Sequence, residues 1–433
     1  MRSLLGGEFD EFIKTRDDLP YRGIRVNTLK CTKETLERNL SFPLTQTPFC
    51  TDGFYIPPDV EGIGSHPLHC AGAFYVQEPS AMSAVTMLKP EKGEFVLDLC
   101  AAPGGKSSQI AAALRGEGLL WSNEIVKSRA NILLSNLERL GVRNAVVSSC
   151  HPRTLCERLG GVFDKILVDA PCSGEGMFRK DENAVREWSE ENVTACANRQ
   201  LQILESAKLA LKSGGAIVYS TCTFSSEENE GVVTRFLDRN PEFELEDSGE
   251  SFGRNTLKYA KRIFPMDGGE GHFAAKFRHK GEPMPIGGGQ VPLLKKAGAE
   301  AEKMYDENFS SHPFGDFLTV HGTQLLALPK ELPPLGGLGV LRAGVYLGEI
   351  RKNRIEPAHA AFMAARPEDC AEFVDFPCTD ERLLRFLHGE EIEVDENLRG
   401  YIAVCAAGVI AGFGKASNGV LKNKYPKGLR VRY

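Results

Sequence analysis

The chain has 433 residues, 42% hydrophobic and 25% charged, proportions of an ordinary globular protein with material for roughly two to four domains. A mean hydropathy of −0.23 and the lack of any apolar run of about 18 residues exclude a membrane-spanning helix. Net charge is −6, which excludes a surface basic throughout, yet residues 401–433 hold six basic side chains and no acidic one.

Twelve cysteines occur without a single Cys-x-x-Cys pair, so neither a disulfide framework nor a zinc site is expected. The nearest metal candidate, His66-Pro-Leu-His69-Cys70, is interrupted by proline. The opening Met1-Arg-Ser-Leu-Leu-Gly-Gly-Glu8 turns acidic too early for a signal peptide, and a cytoplasmic, reducing environment is expected.

Residues 1–72 mix short apolar runs with turn residues and read as a small α+β unit. From 73 to 280 strands alternate with helical patterns, the signature of a parallel, doubly wound sheet. Phe95–Cys100 is the first strand, followed by a helix over 106–114. A second strand runs from Leu119 to Glu124, with a helix over 127–140 after it. Ala145–Ser148 and Lys165–Asp169 are the third and fourth strands. A long helix, 193–211, stops at Lys212-Ser-Gly-Gly. The fifth strand, Ala216–Thr221, precedes a helix over 227–239, and His272–Phe277 is expected to close the sheet. Gly281-Glu-Pro-Met-Pro-Ile-Gly-Gly-Gly reads as an exposed linker (281–300), before an intermediate module (301–380) and a β-rich terminal module (381–433).

In such sheets ligands sit outside the carboxyl ends of the strands. The first strand ends in Cys100-Ala101-Ala102-Pro103-Gly104-Gly105-Lys106, small residues that let a ligand approach the backbone at a helix N-terminus. A P-loop would need glycine where Cys100 stands, and G-x-G-x-x-G is absent. An adenosyl ligand fits better, with Glu124 placed to accept from ribose hydroxyls, and S-adenosylmethionine meets those demands.

Two cysteines follow neighbouring strand ends, in Asp169-Ala-Pro-Cys172 and Ser220-Thr-Cys222-Thr, so two thiols and a carboxylate converge on one cleft. Thiols suit one reaction in particular. C5 of a pyrimidine is a poor nucleophile until a thiolate adds at C6, and the proton at C5 must leave before the sulfur does. A carboxyl group beside N3 and the exocyclic amine stabilises the adduct.

The three motifs Asp98-Leu-Cys-Ala-Ala-Pro-Gly-Gly-Lys, Asp169-Ala-Pro-Cys-Ser-Gly-Glu-Gly and Ser220-Thr-Cys-Thr resemble those of the NOL1/NOP2/Sun family of RNA cytosine-5 methyltransferases. Arg25-Val-Asn-Thr-Leu-Lys and Tyr75-Val-Gln-Glu-Pro-Ser-Ala-Met match upstream segments of that family. The tail Lys415-Ala-Ser-Asn-Gly-Val-Leu-Lys-Asn-Lys-Tyr-Pro-Lys-Gly is similar to the PUA-like end of its bacterial RsmF type. The resemblance covers nearly the whole chain and is weakest over 281–349. It implies a Rossmann-like class I S-adenosylmethionine methyltransferase sheet, flanked by a small N-terminal α+β domain and C-terminal β-rich PUA-like modules.

By the same resemblance Cys222 attacks C6 and Cys172 helps release the product, although DNA cytosine methyltransferases use the Pro-Cys thiol. Asp169 contacts N3 and N4 of the flipped base, Lys106 helps hold it, and residues 100–106, Glu124 and Asp169 line the cofactor site. After the third strand, where the family commonly has an acidic adenosine contact, this chain reads Ser148-Ser-Cys-His-Pro, and no adenine contact is assigned.

The implied substrate is RNA, ribosomal RNA of the small subunit first and transfer RNA second, with the target base flipped from its stack. Arg22, Arg25, Lys30 and the Lys415–Arg432 stretch are candidate RNA contacts, with Tyr425 and Tyr433 as stacking or core residues. No coiled coil is evident, and a monomer is expected. A P-loop ATPase and a non-catalytic RNA-binding factor are the rival readings.

Overall fold

The computed structural model describes residues 1–288, 297–315, 317–352 and 354–431. Its N-terminal sheet pairs Gly23–Val26 with Gly53–Tyr55 on one side and Phe74–Val76 on the other. The N-terminal unit thus takes a strand from beyond the expected boundary at residue 72. Ile24 and Phe74 are fully buried on that sheet, so the apolar run after Gly72 completes the small domain.

The central sheet has ten strands among the described residues. Five are parallel: β1 (Phe95–Asp98), β2 (Leu119–Asn123), β3 (Ala145–Ser148), β4 (Phe163–Asp169) and β5 (Leu211–Thr221). β1, β2 and β3 are buried at every position, the pattern of strands covered on both faces. Helices α1 (Gly105–Leu114) and α2 (Lys127–Arg139) link β1 to β2 and β2 to β3, while α3 (Pro152–Arg158) precedes β4 and α4 (Glu190–Ala210) precedes β5. α4 is capped by the Ser189 side chain, which accepts from Asn192 N, and passes at Leu211 directly into β5. α5 (Glu230–Arg239) follows β5.

The antiparallel half was only partly legible. β6 (Phe243–Leu245), β7 (Arg254–Thr256), β8 (Ala260–Ile263) and β9 (His272–His279) extend the sheet in the order β7-β8-β9-β5-β4-β1-β2-β3. β9 pairs with β5 from Phe273↔Thr221 to Arg278↔Ala216, and it is not the closing edge. The turn into β8 uses Leu257 and Lys258 in the left-handed region (φ 45° and 74°), a hairpin without its usual glycine signal. At the other edge β10 (Val340–Ala343) joins β3, so part of the expected intermediate module belongs to this sheet.

Residues 281–288 are not a free linker. Lys212 Nζ ties Asp164 Oδ1 (2.6 Å) to Pro285 O (2.8 Å), and Gly287 N donates to Asp164 Oδ2. Residues 289–296 of the expected linker lie outside the described residues. A four-stranded antiparallel sheet spans 318–357. The terminal five-stranded sheet takes Phe373–Phe376, parallel to Gly400–Ala406, from before residue 381. Its core residues Ile402, Val404, Leu421 and Tyr425 share one apolar cluster with Ile24, Val26 and Phe54, joining the two ends of the chain.

Candidate active site

The site lies at the carboxyl ends of β1, β2, β4 and β5. Gly104 begins the turn into α1 with φ +115°, where a side chain would be strained and would meet Leu133 at 3.1 Å. The turn is braced from the N-terminal domain. Arg25, 2% exposed, donates from Nη2 to Gly105 O (3.1 Å) and Ser108 Oγ (2.6 Å). Arg25 is therefore an interdomain strut rather than an RNA contact. Arg22 is also engaged, on Pro58 O and Val60 O.

Asp169 ends β4 in register with Ser220 on β5, so both side chains face the same side. Ser220 Oγ donates to Asp169 Oδ1 and Lys106 Nζ to Oδ2, each at 2.8 Å. Burial pushes the Asp169 carboxyl up, but the Lys106 ammonium and these hydrogen bonds bring it below its ordinary value. Burial likewise works against the Lys106 charge, and Asp169 overcomes it, holding the ammonium above its ordinary value. The pair is ionised.

Two and three residues beyond that register, Cys222 and Cys172 leave adjacent strands, and their Sγ atoms lie 3.3 Å apart. The contact with Cys222 and then burial raise the Cys172 thiol well above the usual range. Cys100, half-buried in the cleft wall, is also raised well above it, by desolvation and by Asp98, Asp169 and Glu124 nearby. Cys172 and Cys100 are thus neutral thiols.

Cys100, Ala102, Glu124, Asp169, Cys172 and Cys222 line one cleft of about 1430 Å3. Ala101, 4% exposed, packs instead into the core beneath the turn, and Gly105 sits against the Tyr75 ring. Lys106 reaches the cleft through Asp169. Glu124 accepts from Val126 N (2.9 Å) and pairs with Arg129 (3.2 Å). Asp98 lies behind the turn with Oδ2 accepting from Ser107 Oγ (2.7 Å), while Oδ1 is buried without a hydrogen-bond partner among the described residues. Burial raises that carboxyl to about 7.

Sequence reasoning does not single out the support beneath the two cysteines. Glu228 receives Ser173 N (3.0 Å), the Ser173 hydroxyl and Gln200 Nε2 (2.7 Å). Gln200 also donates to Pro171 O, and Tyr219 OH donates to Gln200 Oε1 and Glu228 O. On the Cys222 side, Glu175 Oε2 accepts from Thr223 Oγ1 and Phe224 N. One carboxylate thus fixes each cysteine loop. His272, 3% exposed at the start of β9, was equally silent, and both its ring nitrogens are buried without a partner among the described residues. Burial, with Lys106 nearby, lowers it to about 4.

Among the described residues no group of three or more His, Cys, Asp or Glu side chains is placed to hold a metal ion, and no helix is long and apolar enough to cross a membrane.

The open α/β sheet that carries this cleft, with β-rich domains attached, is that of an RNA methyltransferase, as its likeness to known proteins shows. Residues 85–278 match the family model described as 16S rRNA methyltransferase RsmB/F. Residues 1–79, 304–364 and 373–431 match models of the RsmF N-terminal, first C-terminal and PUA domains. The chain is 34% identical over 97% of its length to ribosomal RNA small subunit methyltransferase F of Aliivibrio fischeri (strain MJ11), and equally so to that of Vibrio vulnificus (strain YJ016), covering 93% of each. The chain belongs to the ribosomal RNA small subunit methyltransferase F family. Among solved structures, a methyltransferase homologue from Pyrococcus horikoshii is similar at 33% identity and TM-score 0.55, over 63% of this chain and 91% of that one. NSun6 from the same organism, solved with SFG, shares the fold at 23% identity and TM-score 0.56, over 65% and 97%.

Proposed function

We propose that the protein methylates C5 of a cytosine in 16S ribosomal RNA, with S-adenosylmethionine as methyl donor. The observation that carries this reading is the 3.3 Å contact between the Cys172 and Cys222 thiols beside the ionised Lys106–Asp169 pair.

The cleft suits the donor. Its wall at Cys100 and Ala102 is small, Glu124 offers an acceptor for ribose hydroxyls, and the unpartnered Asp98 Oδ1 behind the turn is an acceptor left over. Cys100, Ala102, Glu124 and Asp169 are the holding set, and the rest of the turn 100–106 shapes the wall behind them. When bound, S-adenosylmethionine supplies an electrophilic methyl group on a sulfonium.

The chain's own residues do the rest. Cys222 gives its proton to solvent water and adds to C6 as a thiolate, stabilised by the Cys172 S–H and by the Lys106 charge. The electron pair of the C5–C6 double bond moves onto C5. Asp169, held by Lys106 and Ser220, hydrogen-bonds the N3 and N4 edge and stabilises the adduct. Once Cys222 is bound to carbon it no longer holds the Cys172 proton in place, and the Cys172 thiol becomes easier to ionise. Its proton passes to solvent water; as a thiolate Cys172 then takes the proton from C5, and the returning electrons expel Cys222 as a thiolate.

RNA binding draws on the terminal sheet. Lys415 and Lys422 pair directly across neighbouring strands, like charges that repel until an anion lies over them. Tyr425 is buried and belongs to the core; Arg432 and Tyr433 lie outside the described residues. The protein acts as a monomer in the cytoplasm.

The test is a denaturation-resistant adduct with 16S ribosomal RNA containing 5-fluorocytidine, whose C5 substituent does not leave as a proton. An adduct lost in Cys222→Ser and kept in Cys172→Ser is expected. The reverse pattern exchanges the thiol roles, and no adduct with any variant refutes the mechanism.

A further inference from the structure

The catalytic cleft is larger than one small ligand needs. Its volume of about 1430 Å3 exceeds the roughly 300–1,000 Å3 of pockets that enclose a drug-sized molecule. From the Cys100 wall the cleft continues past Pro152 and Arg153 onto α4, where Asn198, Gln202 and Ser206 line it. Those three recur every fourth residue, so one face of the helix floors this outer arm. From Asn198 to Leu209 the arm follows α4 for roughly 16 Å.

Charge in the arm is one-sided once its ion pairs are counted. Glu157 is paired with Arg153 and Glu205 with Lys208, both at 2.8 Å. Arg199 and Arg239 also line the arm, both exposed, and neither has a carboxylate in ion-pair contact among the described residues. Arg239 shares the charge of Glu205 with Lys208, and Arg199 has no ion pair among the described residues, so two guanidinium groups line a groove open to the two catalytic thiols, in a chain whose total charge is −6. Guanidinium forks match phosphate oxygens, and such contacts position a strand without reading its sequence.

We infer that the outer arm is a phosphate track, in which Arg199 and Arg239 hold the backbone of the RNA strand on one side of the target cytosine. This deepens the proposed function and rests on it. The shared chemistry is a phosphodiester or phosphate, and a free nucleotide is the competing source.

The experiment uses the full chain with an RNA that the wild type methylates, and compares Arg199→Glu/Arg239→Glu with Arg199→Lys/Arg239→Lys. The charge reversal is expected to raise the KM for RNA about tenfold or more and to flatten the salt dependence of RNA binding by about one to two in log–log slope. It should leave kcat and the affinity for S-adenosylmethionine in place, and the lysine pair should keep the wild-type slope. An unchanged KM and slope would overturn the track. Loss of S-adenosylmethionine affinity would overturn it too, by placing the arm in the cofactor site. Adenosine monophosphate that binds the wild type, fails to bind the reversal and does not compete with RNA would assign the arm to a free nucleotide instead. A wild type that methylates no RNA sinks the proposed function itself, which the variants' behaviour cannot do.

Discussion

The Cys172 and Cys222 thiols touch at 3.3 Å across fifty residues of sequence because β4 and β5 are parallel neighbours in register at Asp169↔Ser220. The two sulfurs are within hydrogen-bond reach of each other. That contact and burial raise the Cys172 thiol, so Cys172 is the sulfur that keeps its proton, and the proposed mechanism gives the attack to Cys222.

That division of labour predicts different failures on unmodified RNA. Cys222→Ser should lower kcat by about 10³-fold, since a hydroxyl is a far weaker nucleophile and no adduct forms. Cys172→Ser should instead accumulate a covalent protein–RNA complex, because release needs the proton at C5 removed. Gel electrophoresis under denaturing conditions reads both; a Cys172→Ser enzyme that turns over without accumulating adduct contradicts the release role.

The Lys106–Asp169 pair makes a second prediction. Without the ammonium, burial of Asp169 is opposed only by His272 and Ser220, and the carboxyl pKa rises. Lys106→Met should therefore cost about 10²-fold or more in kcat/KM. It should also move the acidic limb of the pH–rate profile to higher pH. A lower rate with an unmoved limb would mean that Lys106 does not set the charge of Asp169.

How much of this was legible follows from what kind of signal each feature leaves. The parallel strands announce themselves as unbroken apolar runs, and the three cleft motifs sit at their ends, where small residues and reactive side chains stand out. β10 leaves no such mark: Val340 meets Ser148 only through the tertiary fold. Glu228 and Gln200 look like solvated helix residues in the sequence, yet they join Ser173 and Pro171 across 55 and 29 positions. Arg25 misled for the converse reason. A basic residue beside a turn usually faces solvent, whereas here its fork spends its donors on Gly105 and Ser108. His272 is hidden too, because a lone histidine in an apolar strand carries no pattern of its own.

Glu124 offers a test of the cofactor arrangement. Glu124→Gln keeps an acceptor for Val126 N but gives up the negative charge and the pair with Arg129. The KM for S-adenosylmethionine is expected to rise about tenfold, the worth of one charge-assisted hydrogen bond, while the KM for RNA stays in place. Calorimetric titration of the cofactor checks it, and unchanged affinity would remove Glu124 from the holding set.

The terminal sheet should contribute affinity rather than chemistry. Lys422, Lys424 and Lys427 are exposed, and only Lys424 has a carboxylate nearby, Glu356 at 3.6 Å, among the described residues. Replacing all three by glutamine should weaken RNA binding and flatten its salt slope by about two to three. kcat at saturating RNA should not change. Binding isotherms at several salt concentrations decide it, and an unaltered slope would take the RNA off this face.

His272 gives a prediction about stability against pH. Its folded value of about 4 lies below its ordinary value of 6.5, so the unfolded chain binds the proton first. Above pH 6.5 both states are neutral and the histidine contributes no pH dependence. As pH falls from there towards 4, protonation favours the unfolded chain, and stability declines. Between pH 7 and pH 5 the loss from this one residue is about 2 kcal/mol. His272→Phe removes the titrating group while filling the same apolar strand position, so the variant should lose less stability than the wild type over that interval. Denaturant unfolding at the two pH values measures the difference, and equal acid losses in both proteins would show that the imidazole is protonated inside the fold.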